Sequence, residues 1–143
     1  ARAAIREHLE RRGVHASVAR GIGQLHKITY ELPDPLPKVS IIVHGPGTPA
    51  DLDKLLNVKG SLPFEILSSG LKTSTTSVSP EHYNPYAGLN LAAKAASGSV
   101  LCFLSAEIIT ASDLWLDTLV GNAIQPGVGA VGPRPFGQAA QGR

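Results

Sequence analysis

Along this chain the spacing of apolar side chains changes from segment to segment, and each change marks an element. In residues 3–12, Ala4, Ile5 and Leu9 recur at helical spacing among arginines and glutamates, which predicts an amphipathic helix stopped by Gly13. In residues 14–19 and 25–32, β-branched and aromatic side chains alternate with polar ones on either side of a turn holding Gly21 and Gly23. The simplest reading is a hairpin of two short strands. Pro33, Pro35 and Pro37 then fix φ and remove backbone donors, so residues 32–38 are expected to be an extended connector.

Beyond the connector the alternation disappears. Residues 39–43 are apolar apart from Ser40, the pattern of a parallel strand covered on both faces. Thr48 can cap a following helix, with Pro49 at its first position, Asp51 in its first turn and Leu52, Leu55 and Leu56 as its apolar face, ending near Gly60. Residues 64–67 read as a second buried strand, and residues 71–86, rich in Ser, Thr and Pro, as a surface loop. The alanine-rich residues 87–96 predict a helix closed by Ser97 and Gly98, followed by a strand over 99–104. Ser112 or Asp113 then caps a helix carrying Leu114, Trp115, Leu119 and Val120, and Pro126 and Gly127 precede a short strand around 128–131.

Strands alternating with helices over such short distances favour right-handed crossovers. They predict an α/β fold, a Rossmann-like, mostly parallel sheet flanked by helices, with the N-terminal helix and β-hairpin as an appendage. Residues 1–37 are then the appendage and connector, and residues 38–143 the main unit. Ligands of such sheets bind beyond the carboxyl ends of the strands, which directs attention to residues 44–48, 68–72 and 105–109.

Composition narrows the class further. At 143 residues, 43% hydrophobic and 17% charged, the chain suits a compact domain with a sizeable core. Its formal net charge of +2 is too slight to call for nucleic acid or an anionic membrane as a partner. The single cysteine, Cys102, cannot form an internal disulfide, so a reducing, cytoplasmic compartment is expected. No apolar run approaches the roughly 20 residues of a membrane span, and the opening ARAAIREHLERR lacks the apolar stretch of a secretory signal. The absence of methionine, even at position 1, predicts a piece of a longer polypeptide.

Read in order, VSIIVHGPG, PFEILSSG, YNPYAGLNLAAKAASGSVLCFLSAEIITASDLWLDTLV and GVGAVGPR resemble successive landmarks of a family-two, GT-A-type glycosyltransferase. The resemblance covers residues 37–134 and is most specific over 90–120, where a helix, Ser-Gly, an apolar strand ending Phe-Leu, an acidic site and a Trp-Leu helix follow the family's order. It implies the donor-binding half of an inverting enzyme that transfers a sugar from a nucleotide-diphospho-sugar to a hydroxyl. In the family an acidic motif holds a divalent metal, manganese or magnesium, on the diphosphate, and a carboxylate elsewhere takes the acceptor's proton.

Carried over residue by residue, the resemblance puts nucleotide-sugar contacts at His44, Gly45, Ser69, Gly70, Asn90 and Ser105, and a metal ligand at Glu107. The acidic motif falls on Ser105, Ala106 and Glu107, so one carboxylate remains. The family's nucleoside-binding Asp falls on the Ser68, Ser69, Gly70 stretch, and its Pro-Thr is replaced by His44, Gly45, Pro46 and Gly47. Plainer readings stand beside these. Glu107 is also a solvated loop carboxylate, the serine pair a turn, His44 a strand-end histidine, and Asn90 a water-facing residue on an alanine-rich helix. Trp115 and Leu116 are explained by packing, and Cys102 reads as a small buried hydrophobe rather than a nucleophile.

The catalytic base belongs to an acceptor-binding half expected beyond Arg143, so no catalytic residue is assigned. The five histidines lack zinc-site spacing, and neither a Gly-x-Ser-x-Gly elbow nor a complete dinucleotide or P-loop fingerprint occurs. Two functions follow. One is the donor-binding portion of a glycosyltransferase, working with the remainder of a longer polypeptide. The other is a catalytically inactive descendant that serves as a structural module or binds a protein partner.

Overall fold

The computed structural model describes residues 1–21, 23–45, 60–69, 85–106 and 113–133. The chain divides into two compact units, Ala1–Leu32 with Thr118–Arg143, and Pro33–Asp117.

In the first unit, helix α1 (Arg2–Arg11) has one buried residue, Leu9, and packs on the first strand of the hairpin. Gly13 ends the helix at φ +65°, a conformation that costs glycine little, while its N–H reaches the Glu10 carbonyl at 2.9 Å. Strand β1 (Ala16–Arg20) pairs antiparallel with β2 (His26–Tyr30), with Val18 opposite Ile28. Gly21 N–H donates to the Leu25 carbonyl at 2.9 Å and closes the turn. The helix and hairpin expected from periodicity are both present.

The second unit is the α/β part. Strands β3 (Val39–His44), β4 (Phe64–Ser69) and β5 (Val100–Ser105) form a three-stranded sheet in the order β4-β3-β5, with both pairings parallel. Central β3 has neighbours on both edges, and its residues from Val39 to Val43 are all buried, which is why its sequence is an unbroken apolar run around Ser40. Helix α2 (Pro85–Ala95) packs against β4 and β3. On edge strand β5, Leu101 and Phe103 are exposed while Leu104 is buried. The fold is thus mixed α/β with a parallel sheet flanked by helices, and the sheet does not close into a barrel.

Helix α3 (Trp115–Ala123) begins in this unit, where Leu116 is buried. Asp117 in its first turn accepts hydrogen bonds from Ser61 N–H and Ser61 Oγ, both at 3.1 Å, and so holds the turn that leads into β4. The helix starts at Trp115, with Asp113 in the turn before it. The strand expected around 128–131 does not form. Those residues are irregular, and Val128 and Val131 are exposed. Gly127 at φ +81°, Gly129 and Gly132 interrupt the segment, and two isolated valines offer too little apolar surface to offset the ordering of a strand. The loop expected over 71–86 ends two residues early, since Pro85 and Tyr86 already belong to α2; its residues 71–84, and the helix expected from Thr48, lie outside the described residues.

Candidate functional site

Parallel strands run in one direction, so their carboxyl ends meet at one edge of the sheet. Here the ladder places His44 opposite Ser69 on one side and Ser105 on the other. In-register residues of a parallel sheet point to the same face, so the His44 and Ser105 side chains emerge together. The His44 carbonyl accepts the Ala106 N–H at 2.8 Å, which carries the ladder one residue past β5 and holds buried Ala106 against the end of β3.

Gly45 follows at φ +91°. A Cβ there would lie 3.6 Å from Ser105 Oγ, an ordinary contact, so backbone conformation rather than space favours glycine. Four of the positions singled out in the sequence, His44, Gly45, Ser69 and Ser105, therefore share the carboxyl edge. Asn90 is exposed on α2 rather than on the ladder. Gly70 and Glu107 lie outside the described residues.

The donor chemistry of this edge is imidazole, hydroxyl and backbone. Magnesium and manganese are held mainly by carboxylate and other oxygen ligands, and the described part of the edge contributes no carboxylate. Among the described residues, no three His, Cys, Asp or Glu side chains converge as a metal-binding group. The described edge does not by itself fit a hard divalent cation. Half-buried Cys102 has its thiol pushed up by desolvation, which keeps it protonated and leaves it a packing residue of β5.

The opposite, amino-terminal end of the sheet holds a network that local patterning did not reveal. Glu65, in register with fully buried Ser40, accepts hydrogen bonds from Ser40 Oγ at 2.6 Å, Ser97 N–H at 2.8 Å, Ser97 Oγ at 2.9 Å and Lys38 Nζ at 3.0 Å. Gly98 N–H donates to Ser40 Oγ at 2.8 Å. These donors, led by the Ser40 hydroxyl and the Ser97 amide, lower the Glu65 pKa from its ordinary 4.5 to about 2. A Cβ on Gly98 would lie 2.7 Å from the Lys38 carbonyl oxygen, Ser40 N and Ser40 Oγ. The Ser-Gly that closes α2 is therefore a joint between β5 and β3. Its sequence signal was a polar residue at the second position of each of two largely apolar strands, Ser40 and Glu65.

Comparison with known proteins adds one relative. The chain is 33% identical to part of the O-antigen biosynthesis protein RfbC of Myxococcus xanthus, over an alignment of 149 residues that covers 90% of this chain. It spans 12% of that protein's length. No protein-family model matches the chain, and no solved structure does. Among the described residues, no helix is long and apolar enough to cross a membrane.

Proposed function

We propose that the chain is the nucleotide-sugar-binding part of a glycosyltransferase-like protein that builds saccharide chains of the O-antigen kind. The observation that carries this reading is the ladder that brings His44, Ser69 and Ser105 to one carboxyl edge, where open parallel sheets bind their ligands. Support comes from the ordered landmarks between Val39 and Val120, which include all three strands of the sheet, and from the similarity to RfbC. In this reading the edge binds the nucleotide-diphospho-sugar donor, and an inverting transfer passes the sugar to an acceptor hydroxyl.

Calorimetric titration of the chain with UDP- and dTDP-sugars, with and without manganese, tests the proposal. Saturable binding at millimolar concentration or below is expected. A second reading, a catalytically silent interaction module, is favoured by Gly70 and Ser105 standing where the resembled family has carboxylates. It predicts no nucleotide-sugar binding under any of these conditions.

A further inference from the structure

The small net charge of the chain conceals a segregation. Residues 1–32 carry six basic side chains, Arg2, Arg6, Arg11, Arg12, Arg20 and Lys27, against three acidic ones, a net charge of +3. Residues 33–143 carry seven basic against eight acidic, a net charge of −1. All six basic side chains of the first group are exposed. Among the described residues, Arg11 pairs with Glu7 at 3.7 Å and no ion pair engages the other five.

The hairpin gives part of this charge a geometry. In its ladder Arg20 stands opposite His26 and Ala19 opposite Lys27. Successive side chains of a strand point to opposite faces, so Arg20 lies on one face of the ribbon and Lys27 on the other. Between them is the turn closed by Gly21 and Leu25, and Leu25 is 60% exposed. An apolar side chain at the end of a ribbon with a cation on each face suits an approach tip-first into a layer that is anionic outside and apolar beneath. Nucleic acid fits less well, because single strands are gripped by aromatic stacking, and Tyr30, the one Phe, Trp or Tyr of residues 1–32, is half-buried. Lipid headgroups move to meet scattered charges, so a bilayer needs no preformed pocket.

We propose that the hairpin tip docks on an anionic lipid surface, with Arg20 and Lys27 among the headgroup phosphates and Leu25 in the interface below them. The proposal stands independently of the donor-binding reading above. The remaining basic side chains of residues 1–32 add long-range attraction, which salt screens.

The test is co-sedimentation of the full chain with vesicles of phosphatidylcholine alone and with phosphatidylglycerol added, at low and high salt. The variants are Arg20→Gln with Lys27→Gln, Leu25→Ser, and Lys94→Gln as an exposed lysine elsewhere. The expected result is binding to the phosphatidylglycerol vesicles that is lost at high salt and weakens about fivefold for each charge removed at the tip. Leu25→Ser should weaken it further from the wild-type value, Lys94→Gln should leave it unchanged, and the circular-dichroism melts of all variants should match wild type. No binding to anionic vesicles at low salt, or equal binding to neutral ones, overturns the proposal. Equal losses from Lys94→Gln and from a single tip charge overturn the role of the tip. Tighter binding to single-stranded RNA or to polyglutamate than to the vesicles overturns the lipid assignment in favour of a nucleic acid or an acidic protein.

Discussion

Glu65 shows how much one side chain depends on its partners. Its carboxylate accepts from Ser40, Ser97 and Lys38, and these donors hold its pKa at about 2 against an ordinary 4.5. A carboxylate whose pKa is depressed on folding stabilises the fold fully above its unfolded value. That contribution is lost as pH falls through the folded value, so here the window runs from 4.5 down to about 2. Glu65→Gln is therefore expected to lower the urea midpoint at neutral pH. Its deficit relative to wild type should shrink steadily across that window, and urea titrations at a series of pH values check this. A deficit independent of pH would show that Glu65 acts through packing alone.

At the scale of elements, the joint between the end of α2, the start of β5 and β3 turns on Gly98. With backbone and Ser40 Oγ at 2.7 Å from the place a Cβ would occupy, two of the three nearest atoms are main chain and have little freedom to move aside. Gly98→Ala is expected to cost about 1–3 kcal/mol, the usual range for overpacking. Thermal and urea denaturation measure it, and a neutral substitution would mean that the two strands separate easily at this end. Asp117 ties the start of α3 to the turn before β4 in the same way, through Ser61.

At the scale of the whole molecule, each unit has its own core. One is built from Leu9, Val18 and Val120, the other from β3 together with Leu62, Leu104 and Leu116. In the sheet unit, burial is concentrated on the central strand: Ile42 is 0% exposed, whereas Phe103 on β5 is 52% exposed. Stability should follow that gradient rather than side-chain size. Ile42→Ala is expected to cost about 2–5 kcal/mol and Phe103→Ala about 1 kcal/mol or less, read as the difference in urea midpoints. The reverse order would mean that the exposed face of β5 is covered in solution.

The sequence by itself determined the elements and their class. β3 is buried on both faces, so its residues must be apolar, and alternation in residues 14–32 marks a hairpin with one covered face. It overreached at 128–131, because valine spacing says nothing about whether a strand finds a partner. Only the tertiary structure decided which residues meet. Glu65 joins Ser40, 25 positions away, and Ser97, 32 positions away, and no local period encodes such pairings. Register likewise made His44 the neighbour of Ser69 and Ser105. The hydrogen-bond ladder aligns segments far apart in the chain, and a one-residue slip would send their side chains to opposite faces.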